Sequence, residues 1–167
     1  SNEVVIESGV TATLGALAIG SFQTLTNHGT VTIGGGVVPA EEDGGGFFDN
    51  FGTVNLTGEL RGELRGGTVN VLSESIVGAL SSGSLTLEDG LTVNGAAQIS
   101  GSAVVTLSSN ASTTGYLQAN GMLSVGLNSL TIDATTSGAL AAGSERLIFG
   151  AGFFLMDAFS TVTYEVT

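Results

Sequence analysis

The sequence has no cysteine, no tryptophan and no lysine, and only one proline in 167 residues. Without cysteine it cannot build a disulfide framework or a thiolate metal site. Three arginines face 15 acidic residues, and a net charge of −12 leaves too few cations to neutralise nucleic-acid phosphates or an anionic membrane surface. No apolar run reaches the roughly 18 residues that a membrane-spanning helix needs. We therefore expect no nucleic-acid partner and no membrane insertion.

Histidine is equally scarce, because His28 is the only one. A nucleophilic triad needs a histidine beside the nucleophile, and a zinc site needs several histidine or cysteine ligands. His28 lies in an Asn-His-Gly stretch, which predicts a solvated turn. The chain is therefore predicted not to be an enzyme.

What the sequence does contain is glycine, hydroxyl residues and short alternating apolar stretches. Hydrophobic residues make up 42% of the chain, enough for a core, and 27 Gly, 20 Thr and 18 Ser accompany them. Good helix formers are scarce, and β-branched residues occupy the apolar positions, which favours strands. One strand pattern, a glycine and a small hydroxyl residue followed by alternating apolar positions, recurs at Gly29–Ile33, Gly52–Leu56, Gly67–Val71 and Gly83–Leu87.

The spacing of these glycines predicts the fold. They are 23, 15 and 16 residues apart, and looser copies at Gly101 and Gly121 extend the series by 18 and 20. Coils of this length with two or three short strands are typical of a β-solenoid. We predict a single all-β domain over residues 1–167, a parallel β-solenoid (β-helix) of about seven to eight irregular coils. A β-sandwich or jelly roll is the alternative.

Threonine pairs of the form Thr-x-Thr occur at 11/13, 24/26, 30/32 and 161/163. Such pairs would form an ice-binding ladder only if successive coils held them in register. The unequal coil lengths argue against that register, so the sequence predicts no such ladder.

Residues 34–46 form a glycine-rich, acidic insertion, because the 23-residue step exceeds the 15-residue step by about eight residues. We predict that it leaves the solenoid as a loop. Calcium prefers oxygen ligands, and flexible backbone beside carboxylates can supply them. Calcium is therefore the only cofactor candidate, with weak ligand candidates at Glu41, Glu42, Asp43 and Asp49.

The two ends of the chain are apolar. Residues 145–167 are rich in aromatics and are predicted to cap the core or to form an association segment. Strand edges that lack a neighbour can pair with another chain. The predicted interface residues are Val4, Val5, Ile6, Phe149, Phe153, Phe154, Phe159 and Tyr164.

The stretch Asn27-His28-Gly29-Thr30-Val31-Thr32-Ile33 and its echo in residues 50–56 resemble the coils of bacterial secreted β-helix proteins. Autotransporter passengers and filamentous-haemagglutinin-type adhesins are of this kind. The segment from Leu147 to Val162 is similar to a terminal segment of large bacterial surface proteins. The resemblance implies secretion and an extracellular or cell-surface structural role, and it carries over no catalytic residue.

Together these features predict a non-enzymatic extracellular structural protein. Its partner is predicted to be a second copy of itself, joined head to tail through strand edges and apolar ends into a fibre or filament. The alternative is an adhesin or carbohydrate-binding β-helix module for surface glycans, which could depend on calcium.

Overall fold

A computed structural model describes residues 3–36, 38–39, 44–99 and 115–119, together with the strands from residue 104 onward. Every regular element in this part of the chain is a β-strand, and no helix among these residues is long and apolar enough to cross a bilayer. The twenty strands are β1 (Glu3–Ile6), β2 (Thr11–Leu14), β3 (Leu17–Ala18), β4 (Thr24–Asn27), β5 (Thr30–Gly34), β6 (Phe47–Asn50), β7 (Thr53–Thr57), β8 (Glu59–Arg65), β9 (Thr68–Val71), β10 (Ser75–Ser82), β11 (Ser84–Leu87), β12 (Gly90–Val93), β13 (Ala97–Ile99), β14 (Val104–Ser108), β15 (Tyr116–Ala119), β16 (Leu123–Val125), β17 (Ser129–Asp133), β18 (Arg146–Phe149), β19 (Phe154–Met156) and β20 (Thr161–Glu165).

All the strand pairs are parallel, and each joins one coil to another coil. This pairing confirms the predicted β-solenoid and excludes the antiparallel sandwich. The strands form three faces. Face B is the eight-stranded sheet β2-β5-β7-β9-β11-β14-β17-β20. Face A contains β1, β4, β6, β13, β16, β19 and the second halves of β8 and β10, and face C contains β3, β12, β15, β18 and the first halves of β8 and β10.

Residues 3–96 make about five turns of the solenoid, and the strands beyond residue 99 continue its faces. The glycines at 29, 52, 67 and 83 precede strands that pair in register on face B, so they stack at one corner as their spacing predicted. The later steps were wrong. Leu85 pairs with Val105 and Val105 with Leu130, which gives steps of 20 and 25 residues instead of 18 and 20. Gly101 and Gly121 lie outside the described residues.

Glycine is required at these corners because neighbouring coils approach closely. A Cβ at Gly52 would fall on the carbonyl oxygen of Gly29. At the corner between faces C and A, Gly62 has a φ of 150° where β8 bends, and a Cβ on Gly78 would lie 2.7 Å from the Gly62 carbonyl oxygen. Any side chain there would force the coils further apart than the ladder hydrogen bonds allow.

Two buried asparagines stabilise the corner between faces A and B. Asn27 and Asn50 are in register, and the Asn27 Nδ2 donates to Asn50 Oδ1 at 2.8 Å. Each Oδ1 also accepts from the backbone two residues later, at Gly29 N (3.0 Å) and Gly52 N (3.2 Å). These bonds satisfy polar groups that the tight turn would otherwise bury without partners.

Face B keeps its register through all eight strands, and this overturns the expectation that unequal coils would break it. Thr11 pairs with Thr30 and Thr13 with Thr32, and the next pairs are Thr30 with Thr53 and Thr53 with Thr68. The extra residues of long coils are accommodated at the turns and on the other faces. The Thr24/Thr26 pair lies on face A instead.

The 34–46 insertion follows β5, and its described residues contain no strand between Gly34 and Phe47. They do not extend away from the solenoid as predicted. Val38 is buried, and its amide donates to Glu59 Oε2 at 2.9 Å. Arg61 donates to the carbonyl oxygens of Pro39 (2.6 Å) and Val38 (3.0 Å), so this part of the insertion is held against face C.

Candidate functional site

The most exposed apolar region of the described residues is the first coil. Residues that stack in one column of the core change from 56% exposed at Val4 to 8% at Leu25 and 0% at Phe48. Inner coils are covered on both sides, whereas the first has a neighbour on one side only among the described strands. Val4 points along the core and yet remains in contact with solvent. The core is therefore open at this end.

The backbone of β1 is also open. The His28 amide donates to the Ile6 carbonyl at 2.8 Å, so the polar groups of Ile6 face β4. Because these groups alternate along a parallel strand, the N–H and C=O of Glu3 and Val5 face the outer edge. A strand edge of this kind can accept another parallel strand.

A hollow of about 160 Å³ lies at the same end, between β1, β3 and β4, and its lining includes Val4, Leu17, Ile19 and Leu25. The turn that leads into β4 has Phe22 at its tip, 91% exposed and with a φ of 64°. A positive φ is uncommon for a bulky residue. The turn thus holds a large apolar ring in solvent near the open core.

The predicted N-terminal interface residues divide into two groups. Val4 and Val5 are exposed on the edge strand β1, as expected of a contact surface. Ile6 is half-buried and packs against the core, so it supports the first coil.

At the other end, β20 is the last strand of face B and pairs only with β17. Among the predicted interface residues, Phe149 is in β18, Phe154 in β19 and Tyr164 in β20. Phe153 and Phe159 lie outside the described residues.

The charged side chains of β8 form ion pairs, as their alternation in the sequence suggested. On face C, Arg61 Nε lies 2.8 Å from Glu59 Oε1, and on face A, Arg65 Nε lies 3.1 Å from Glu63 Oε1. Burial raises the pKa of Glu59, but the hydrogen bonds from Arg61 and from the Val38 amide, with the charge of Arg61, bring it below its usual value. The hydrogen bond to Glu63 raises the pKa of Arg65. The guanidinium of Arg65 also lies over the Phe47 ring, 3.5 Å from its centroid.

The predicted calcium ligands are only partly described. Asp49 lies on face A, 3.7 Å from Arg65 Nη1, which makes it an ion-pair partner. Glu41, Glu42 and Asp43 lie outside the described residues. Among the described side chains, no three histidine, cysteine or carboxylate groups come together as a metal site. Calcium therefore stays a prediction that rests on the sequence of the insertion.

The adhesin alternative predicts an exposed groove with aromatic platforms. Phe51 is 70% exposed and stacks on His28, with ring centroids 5.1 Å apart. This pair lies at the corner between faces A and B, in the solvated turn that the sequence predicted for His28. Phe51 and Phe22, the strongly exposed aromatics of the described part, both lie at turns.

Sequence reasoning missed two members of the open end, Val10 and Phe22. Val10 is 45% exposed beside the edge strand β2. An isolated valine before a Thr-x-Thr pair carries no signal of exposure, because buried strands begin in the same way. Phe22 was visible as an aromatic between Ser21 and Gln23, a polar context that is typical of a turn.

Comparisons of the chain with protein-family models, with curated proteins and with solved structures gave no match. The functional argument therefore depends on the geometry of the solenoid itself.

Proposed function

We propose that this protein is a non-enzymatic, secreted structural protein that associates with copies of itself, head to tail, through the open first coil. The observation that carries the proposal is the exposure of the core at Val4, together with the free edge of β1. Apolar surface in contact with water is unfavourable by about 25 cal/mol per Å², so a partner that covers it gains free energy.

A second copy is the partner whose strands fit this edge. Following the register from strand to strand, Thr161 of β20 belongs to the same column as Thr11 of β2, and Val162 to the same column as Ala12. A copy added with β20 beside β2 would place the same alternation in line across the junction. Such a contact joins different surfaces of the two copies and, when it does not close, produces a filament.

The charge distribution supports the same proposal. Charged side chains on an edge strand are a common defence against unwanted pairing. In β1 and β2 only Glu3 is charged, and it accepts a hydrogen bond from Thr26 Oγ1 at 3.2 Å. The first coil thus has little electrostatic protection against another strand.

The test compares Val5→Pro with Val5→Thr in sedimentation velocity and negative-stain electron microscopy over a range of concentrations. Proline removes the outward N–H of β1 and leaves pairing with β4 intact, whereas threonine keeps the N–H and the β-branched shape. We expect wild type and Val5→Thr to form elongated oligomers that grow with concentration, and Val5→Pro to remain smaller.

A wild-type protein that stays a monodisperse monomer at high concentration would overturn the proposal. Specific binding on a glycan array, lost on calcium chelation, would favour the adhesin alternative instead. A folded far-UV circular dichroism spectrum is required of both variants before the comparison is made.

A further inference from the structure

Face B carries a regular array of uncharged polar side chains that the proposed function does not use. The alternate residues Val31, Val54 and Val69 are fully buried, so their neighbours point outward. The outward positions form two columns, which we call the Thr/Asn array. In the five coils described with side chains, one column contains Thr11, Thr30, Thr53, Thr68 and Ser84, and the other contains Thr13, Thr32, Asn55, Asn70 and Thr86.

The columns continue along the later strands by register. The first column is extended by Val104, Ser129 and Thr161, and the second by Thr106, Thr131 and Thr163. The sixteen positions thus comprise eleven Thr, two Asn, two Ser and one Val, and they use more than half of the 20 Thr in the chain. A solvated strand face needs no such uniformity, so the repetition itself calls for an explanation.

The array is periodic in two directions. Parallel strands are about 4.8 Å apart, and alternate residues along a strand are about 6.6 Å apart. No register shift interrupts the eight strands of face B, whereas the pairing of β8 with β10 contains one between Val77 and Ala79. Face B therefore presents the same hydroxyl and methyl groups at regular intervals.

The side chains of the array are also restrained. Threonine is stiff about χ1 because it branches at Cβ, so its hydroxyl takes few positions relative to the strand. The Asn70 Nδ2 donates to Asn55 Oδ1 at 2.9 Å, which orients both amides along the column. Groups that are already ordered lose little entropy when a regular ligand binds.

Charge is kept off this surface. In the coils whose side chains are described, every outward position of face B is neutral, whereas the ion pairs of β8 lie on faces A and C. Charged groups hold strongly oriented hydration shells, which a surface of hydroxyl and methyl groups lacks. The described array thus offers hydrogen-bonding groups without competing ionic hydration.

From this periodicity, order and neutrality, we infer that face B binds the surface of ice. The prism planes of hexagonal ice present oxygen atoms at two perpendicular repeats of similar length to those of the array. Threonine hydroxyls can occupy positions equivalent to water oxygens, while their methyl groups favour an ordered layer of water between them. The inference goes beyond the proposed self-association and does not depend on it.

The test is ice-affinity partitioning of the full chain, with recrystallisation of fine-grained ice as a second measurement. A protein that binds ice is enriched in the growing ice fraction, whereas other solutes are excluded from it. We expect wild type to be enriched several-fold over the liquid and to keep ice grains small at micromolar concentration.

Two lysine variants interrupt the array in different coils, Thr32→Lys on β5 and Thr86→Lys on β11. The matched control is Thr92→Lys, because Thr92 is also a half-buried outward threonine on a parallel strand, but on face C. We expect each array variant to lose most of the enrichment, and the control to keep it. Far-UV circular dichroism and the urea midpoint establish that all three variants are folded.

Wild-type protein that is excluded from ice like other solutes would overturn the inference, as would equal losses in the array variants and the control. Exclusion from ice together with smaller oligomers in Thr32→Lys would assign face B to contact with a second copy. Failure of self-association leaves ice binding measurable on the monomer, so the two proposals fail separately.

Discussion

Replacing Asn50 by alanine tests whether buried asparagines hold the corner between faces A and B. The Asn50 side chain is 2% exposed and makes four hydrogen bonds. Its Oδ1 accepts from Asn27 Nδ2 (2.8 Å) and from Gly52 N (3.2 Å), and its Nδ2 donates to the carbonyl oxygens of Gly66 (3.3 Å) and Thr68 (3.1 Å). Alanine removes all four bonds.

The size of the effect follows from what the partners retain. Four hydrogen bonds at about 0.5–1.5 kcal/mol each give a range of about 2–6 kcal/mol. Asn27 Nδ2 keeps the carbonyl oxygens of Gly29 (3.3 Å) and Thr53 (3.2 Å) as acceptors, so its loss is partial. The Gly52 amide loses the acceptor that Asn50 provides. We therefore expect a loss near the lower end, about 3 kcal/mol.

Asn70→Ala is the matched control, because Asn70 lies outward on face B and makes a single hydrogen bond to Asn55 among its recorded contacts. Its loss should cost about 0.5–1 kcal/mol. Urea unfolding followed by far-UV circular dichroism gives the free energies from the midpoint and slope. Native-state hydrogen exchange locates the loss, because a repeat array can open one part at a time.

The expected pattern is a large loss for Asn50→Ala, with faster exchange in the coils that Asn50 joins. A change within about 0.5 kcal/mol of wild type would refute the reasoning, because surface substitutions remote from structural features have effects of that size. Equal losses for Asn50→Ala and Asn70→Ala would refute it as well, since burial and bond number would then not matter.

Two further predictions concern acidity and calcium. Because the folded pKa of Glu59 is lowered, its contribution to stability is present above its unfolded pKa and is lost as the pH falls through the folded pKa; the urea midpoint of wild type should therefore exceed that of Glu59→Gln at neutral pH and converge with it in acid, with Glu63→Gln as the control. A difference that persists below the carboxyl range would contradict this. If the insertion and Asp49 bind calcium, the melting temperature should be higher with calcium than with a chelator, and equal values would remove the ion from the account.

The fold class could be predicted from the sequence because a solenoid repeats one local pattern. The stretch from Gly29 to Ile33 recurs with a glycine where coils meet and with apolar residues at alternate positions, and both features are local. The steps beyond Gly83 could not be predicted, because turns of different length can join the same strands. Val105 and Leu130 were therefore assigned to the wrong step.

The open first coil was only partly predictable. The apolar residues of β1 indicated a contact surface, but the alternation along Val4, Val5 and Ile6 does not tell which of them the next coil covers. That depends on the position of Leu25 and Phe48 beneath Val4, which is a tertiary fact. The same holds for Arg61, whose contacts with Val38 and Pro39 span more than twenty residues of sequence.

By itself, then, the sequence determined the parallel β-solenoid, the glycine corners and the absence of the residues that most enzyme chemistry requires, because composition and local periodicity fix these. Only the tertiary structure decided that threonines from coils of unequal length lie in two unbroken columns on face B. The physical reason is that strand pairing aligns hydrogen-bonded residues and leaves surplus residues to the turns, so that register is conserved where chain length is not.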